Sequence, residues 1–271
     1  MSAREAITRA LFPSGLNVVG VTSVARWDEV STPARRGAVI APWARSILVV
    51  GSGGSALWDA FLADLRRDVS GLVSEPHPLD AFVRRSVTAA DVVLGASRRA
   101  WFWSSAEAEV HLDFRMLAHL AGLGSAGRLG LLMHPEFGPW QGLRAACFIE
   151  DELAADPPGG PDLCAGCPAP CLAACPGGAF PDGRWSVDAC TAFRLSSSDC
   201  AATCHARDAC PAGAAHRYSP EEVRYHTDRA TGRRWIRAYL GLPEGADAFD
   251  GVGPYWGSWR SKVDVKGGDL E

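Results

Sequence analysis

Lysine is nearly missing from this chain. Of 27 basic residues only Lys262 and Lys266 are lysines, and the arginines are scattered through every segment. With a formal charge of −4 and a pI near 6.0, the composition carries no strong nucleic-acid signal. Long apolar runs are lacking too. The best stretch, Leu117 to Met133, is interrupted by His119, Ser125 and Arg128, short of the roughly 18 apolar residues that a spanning helix needs, so no membrane segment is expected. The opening MSAREAITRALFPSG mixes charges where a secretory leader would be continuously apolar, and the expectation is a cytoplasmic protein. Disorder is excluded by 47% apolar and 21% charged residues, and 271 residues suffice for one large domain or two modest ones.

Cysteine is rare outside one stretch. Nine are present, and all but Cys147 lie between Cys164 and Cys210. Cys147 stands within the apolar AACFI and reads as a buried, inert thiol. A reducing cytosol keeps thiols free, so the dense block is expected to hold metal rather than disulfides.

The first 155 residues read as a mixed α/β (α+β) domain. Ala3 to Phe12 suggests a helix; Leu16 to Ser23 and Arg45 to Gly51 are strands rich in β-branched residues. Leu57, Phe61 and Leu65 at four-residue spacing mark an amphipathic helix, and Pro78 to Leu94 another. Phe114 to Ala121 is a further helix ended by Gly122 as C-cap, followed by strands over Leu129 to Met133 and Leu143 to Ile149. At Asp156 the composition shifts. Residues 156 to 183 hold seven prolines and six glycines, which marks a domain boundary and a loop-rich module over 156–218. The third unit, 219–271, opens at Ser219-Pro220-Glu221-Glu222, a helix start with Glu222 placed to complete a capping box. That helix is expected to run to about Tyr239, and the tail with Tyr255, Trp256 and Trp259 to pack back on the body.

Within the module the pattern is Cys164-x2-Cys167-x3-Cys171-x3-Cys175-Pro176, then Cys190, then Cys200-x3-Cys204-x5-Cys210-Pro211. Two-cluster bacterial ferredoxins use C-x2-C-x2-C-x3-C-P, in which the fourth cysteine crosses to the other cluster. This chain has one residue more in the second gap. By that logic Cys164, Cys167, Cys171 and Cys210 serve one [4Fe–4S] cluster, and Cys175, Cys190, Cys200 and Cys204 the other. Zinc is the alternative, but it favours paired C-x2-C knuckles around a longer insert, which the first half lacks. Arg184, Arg194, His205, Arg207, His216 and Arg217 are the basic groups expected to tune such clusters.

Two glycine patterns resemble dinucleotide fingerprints. Gly122-x-Gly124-x-x-Gly127 follows a helix where the mechanism requires a strand, and is rejected. Gly51-x-Gly53-x-x-Ala56 follows a strand and opens a helix, but no second βαβ strand is recognisable, so it reads as a tight turn whose helix N-terminus could still receive a phosphate.

The segment LAHLAGLGSAGRLGLLMHPEFGPWQGL, Leu117 to Leu143, followed about twenty residues later by the cysteine block, resembles the epoxyqueuosine reductase family. ARSILVVG and VVGVTS also resemble that family's N-terminal half, so the likeness covers most of residues 15 to 218. Reductive dehalogenases and cobalamin-processing proteins share the architecture. The resemblance implies a nitroreductase-like N-terminal domain that holds a corrinoid, with FMN as second choice, next to a dicluster ferredoxin-like module. It implies that Gly124, Ser125, Ala126, Gly127 and Arg128 contact that cofactor. The family's catalytic aspartate lies seven residues before the arginine matching Arg115; that place is Ala108 here, which leaves Glu109 and His111 as candidate acids. The function expected is an iron–sulfur oxidoreductase that relays single electrons from a flavodoxin, ferredoxin or reductase to a cofactor or small-molecule acceptor. The alternative is a ferredoxin-type carrier or docking protein without a catalytic cofactor of its own.

Overall fold

Central strands that are apolar on both faces need covers on both sides, and this requirement organises the chain. The computed structural model describes residues 2–70, 75, 77–104 and 111–242. In chain order its elements are α1 (Ala3–Leu11), β1 (Val18–Ser23), α2 (Val24–Val30), β2 (Ser46–Gly53), α3 (Ala56–Arg67), α4 (Pro78–Asp91), β3 (Arg99–Trp103), α5 (Phe114–Leu120), β4 (Ser125–Ala126), β5 (Leu132–Met133), β6 (Gln141–Ile149), α6 (Val187–Ser196), α7 (Pro220–Thr227) and α8 (Arg229–Tyr239), with short helical turns between them. The fold is a mixture of helices and a small sheet, in order β1-β2-β6-β3, with every neighbouring pair antiparallel.

Alternation along β2 and β6 sorts the side chains into two cores. Leu48, Val50, Ala145, Cys147 and Ile149 meet α1, α3 and α4 on one face; Ile47, Val49, Ala146 and Phe148 meet α2 and α5 on the other. A bulge between Val50 and Gly51 inserts Arg144 as the extra residue of β6, and its Nε donates to Ser52 Oγ at 3.3 Å. Tyr225 of α7 and Ile236 of α8 join the first core, where Tyr225 packs on Trp58 at 5.2 Å between ring centroids. The C-terminal helices are therefore part of the body's packing.

The structure departs from the sequence reading in several places. β3 went unrecognised because RAWFW has no alternation of apolar and polar residues; among the described residues it is an edge strand that pairs only with β6. The strand expected over Leu129 to Met133 shrinks to Leu132–Met133, paired with Ser125–Ala126, because Gly130 turns the chain with φ +71° just before it. The helix expected from Ser219 to Tyr239 breaks at Asp228, which is extended at φ −137°, ψ 92°. The tail with Tyr255, Trp256 and Trp259 lies outside the described residues. Among the described residues no helix is long and apolar enough to cross a membrane.

Candidate metal centre and adjoining cleft

The cysteine-rich stretch is stapled to the body before its first cysteine. Asp156 accepts from the Arg4 guanidinium and, through Oδ2, from the Val21 amide at 2.9 Å, while Arg26 donates to its carbonyl at 2.8 Å. The Gly159 amide donates to the His119 carbonyl, and Ser125 Oγ to the Gly160 carbonyl at 2.8 Å. Asp162 Oδ1 then takes the Cys164 amide at 2.9 Å, so the first ligand candidate sits on an Asx turn anchored to the sheet body. Ala169, left-handed at φ 55°, reverses the chain into the turn Pro170–Ala173 that carries Cys171. For a residue with a Cβ this conformation is costly and survives only where its surroundings hold it.

Eight cysteines separate into two spatial groups. Cys164, Cys167, Cys171 and Cys210 line one narrow cavity, walled by Leu129, Met133, Leu163 and Ala169. Cys171 and Cys210 are buried. Burial pushes the Cys210 thiol up; the Ala212 amide acts the other way, and the like charges of Cys171, Cys164 and Cys167 raise it further. In the second group burial again dominates the rise at Cys200, reinforced by Cys204, Cys175 and Cys190 and opposed by Arg194. Burial likewise raises Cys190, and the Trp185 side chain opposes it. Thiols that hinder one another's ionisation are made thiolates together only by a cation among them. Among the described residues no three His, Cys, Asp or Glu side chains are spaced to hold a single ion. Four soft thiol donors around one small cavity are the ligand chemistry of zinc and of iron–sulfur clusters alike. Cys147 stands apart, fully buried in β6, its thiol pushed up to about 12 chiefly by burial.

A wider cleft of about 610 Å³ adjoins the first cavity and shares Cys164 and Arg128 with it. Arg115, Arg184, Asp162 and Trp185 contribute to its walls. Its geometry begins at α5. That helix ends in a Schellman arrangement, with Leu123 N donating to Ala118 O, Gly122 N to His119 O, and Gly122 at φ +73° as the sequence led one to expect. The hairpin β4–β5 follows at close quarters: a Cβ on Gly124 would stand 2.2 Å from the Met133 carbonyl oxygen. These glycines serve packing rather than dinucleotide binding. Arg115 Nη1 donates to the Gly130 carbonyl at 2.9 Å, and the Trp185 ring lies over Gly130.

Of the five residues expected to touch a corrinoid, Ala126, Gly127 and Arg128 line this cleft. Gly124 is buried at the start of the hairpin and Ser125 Oγ donates to the Gly160 carbonyl; neither is among the residues that line the cleft. His111 is exposed and is not among the cleft residues, and Glu109 lies outside the described residues. Sequence reasoning passed over Trp185 and Asp162. Trp185 immediately precedes Ser186, the N-cap of α6, and a lone indole among small residues was the available signal.

The other glycine turn proves to be filled by the chain itself. A Cβ on Gly53 would stand 2.1 Å from the Phe137 ring, and Ser55, at the start of α3, donates its hydroxyl to Glu222 Oε2 at 2.6 Å. The phosphate suggested for this helix N-terminus is replaced by a carboxyl of α7. Ser219 caps α7 through the Glu222 amide, but the Glu222 side chain turns inward to Ser55, so the expected capping box is half formed. Burial pushes the Glu222 carboxyl up to about 7, against the pull of Ser55, Arg144 and Arg207. Arg207, between Cys204 and Cys210, lies 4.5 Å from the Trp140 ring and 4.7 Å from Tyr218, and thereby ties the cysteine stretch to the body.

No family model matches the sequence, and no curated protein matches it. Solved structures do. A selenomethionine-labelled epoxyqueuosine reductase aligns with a TM-score of 0.56 at 16% identity, over 81% of this chain and 70% of that one. The Bacillus subtilis epoxyqueuosine reductase gives 0.53 at 16%, over 80% of this chain and 66% of its own, so this chain spans just under two thirds of it. The B12-trafficking protein CblC of C. elegans, a homologue of a human protein, gives 0.57 at 14%, over 91% and 100%. At these identities the likeness is one of fold, and the chain has the fold shared by epoxyqueuosine reductase and CblC.

Proposed function

We propose that this chain is an iron–sulfur oxidoreductase that delivers single electrons to an acceptor in the cleft beside Cys164. Cys164, Cys167, Cys171 and Cys210 hold one [4Fe–4S] cluster; Cys175, Cys190, Cys200 and Cys204 hold the second. Residues 156–218 act as the cluster module and supply seven of the twelve cleft residues, and 1–155 supply the other five. The observation that carries this reading is the position of Cys210, which lines the cavity of Cys164, Cys167 and Cys171 although Cys175 precedes it by 35 residues and faces the other group. That is the crossing expected of a dicluster arrangement.

A thiolate-bound cluster takes up and gives one electron at a time. The chain's part is to hold and insulate it. Leu129, Met133 and Leu163 give the first cavity an apolar wall, and the Ala212 amide favours the charged form of Cys210. Cys164 and Arg128 stand on both cavity and cleft, so an acceptor seated there lies against the protein shell of the first group. The sole exposed cysteine, Cys204, belongs to the second group, which is where an external reductant of the flavodoxin or ferredoxin class would approach. A corrinoid is the first candidate for the acceptor, because CblC, whose fold this chain shares, is a B12-trafficking protein.

Anaerobic purification tests the reading. Brown protein with about eight irons per chain is expected; colourless protein carrying zinc would defeat it. Titration with cob(II)alamin and with FMN then distinguishes the oxidoreductase from a plain carrier, since binding of neither leaves the cleft without an acceptor.

A further inference from the structure

The cleft is unusual in its charge. Arg115, Arg128 and Arg184 line it, against the single carboxylate of Asp162, and one oxygen of that carboxylate is committed to the Cys164 amide. Arg115 is held by the Gly130 carbonyl. Among the described residues the guanidinium groups of Arg128 and Arg184 take part in no hydrogen bond or ion pair within the chain, the Arg184 amide alone donating to the Pro181 carbonyl, and both residues are exposed. Three guanidinium groups on one concavity repel one another, and while Arg115 braces the hairpin loop through Gly130, the side chains of Arg128 and Arg184 have no such bond to the hairpin or to the loop before α6 among the described residues. Their forked donors match carboxylate and phosphate oxygens.

We infer that the cleft recognises its occupant through an anionic group, a phosphate or carboxylate, held by Arg128 and Arg184 with Arg115 in support. This rests on the reading of the cleft as the acceptor site and adds its selectivity: a small acceptor that carries a negative charge is retained, and its uncharged counterpart is not. Trp185, next to Arg184 and packed over Gly130, supplies an apolar part of the wall, suited to the body of such a molecule. The proximity of Arg128 to Cys164 places the anion at the edge of the first cysteine cavity.

The experiment uses the full-length, anaerobically reconstituted protein and pairs of probes that differ in the charged group. FMN is compared with riboflavin, and cob(II)alamin with cobinamide, which lacks the nucleotide phosphate; inorganic pyrophosphate serves as competitor. The charged member of at least one pair is expected to bind about tenfold more tightly or better, to weaken as salt is raised, and to be displaced by pyrophosphate. Arg184→Gln should remove most of that preference with iron content and visible spectrum unchanged; Arg128→Gln should act likewise, and the Arg184 variant stands alone should the other lose iron. Equal binding of charged and uncharged members would overturn the anion selectivity and leave the cleft as acceptor site. Failure of every small probe would overturn both, as would arginine-dependent binding of an RNA hairpin in their place, since the occupant would then be a macromolecule.

Discussion

On the two faces of the sheet, Ile47, Leu48, Val49, Val50, Ala145, Ala146, Cys147 and Phe148 are all closed to solvent, whereas between residues 160 and 210 only Ala169, Cys171, Ala179, Ala206 and Cys210 are buried. The body orders itself by burying large apolar side chains in two cores around a hydrogen-bonded sheet. The cysteine stretch has no strand among its described residues, short helices, and a small cluster in which two of the six buried members are cysteines. Apolar burial worth about 25 cal/mol per Å² cannot stabilise much with alanines. What the second region has instead is thiol donors and clamps to the body: Asp156, Gly159, Ser125 and Arg207. The comparison teaches that one region folds on its own side chains, whereas the other, on the proposed reading, is completed by the clusters its thiols would hold.

The largest expected effect is removal of metal. Binding to sites of this kind is itself folding free energy, so chelation should abolish amide-exchange protection across residues 164–210 while β2 and β6 stay protected; uniform loss across both regions would erase the distinction. A core truncation probes the other side. Phe148→Ala, at a fully buried position of β6, should cost about 3–5 kcal/mol in denaturant unfolding, with iron per folded chain unchanged.

Glu222 comes next. Its folded pKa, about 7, lies above the ordinary 4.5, so the native state binds the extra proton between those values and stability falls as pH rises from about 4.5 to about 7. Glu222→Gln should flatten that slope and make the variant the more stable protein above pH 7, by up to a few kcal/mol; thermal melts at pH 5 and pH 8 decide it. A smaller effect is expected at the joint between the regions. Arg207→Met removes the guanidinium from between Trp140 and Tyr218 and should cost about 2 kcal/mol or less, read as increased exchange in the turn His205–Asp208 with little change in β2.

Much of the body was legible in sequence. β1, β2, α3, α4 and α5 announced themselves through β-branched runs or four-residue spacing, because periodicity is a local record of which face will be buried. β3 was not, since an edge strand half-covered on both sides leaves no alternation. The break at Asp228 was invisible because α7 and α8 share an amphipathic pattern and the bend between them is set by packing on Trp58. Glu222 illustrates the same limit at one side chain. Its spacing from Ser219 pointed to a local capping box, and a hydroxyl 167 residues away in sequence took the carboxyl instead.

The candidate site divides along the same line. Thiols at short intervals, prolines that end each turn, and a glycine-rich hairpin are properties of neighbours in the chain, and the sequence by itself determined that donor chemistry and its rough spacing. Which cysteines meet depends on the path of some thirty-five residues between Cys175 and Cys210, and that path follows from Asp156 bound to β1 and Arg207 lodged between two rings. The cleft is likewise a product of tertiary packing: Arg115 from α5, Arg128 from the hairpin and Arg184 from the loop before α6 share a wall only once the sheet has drawn their elements together.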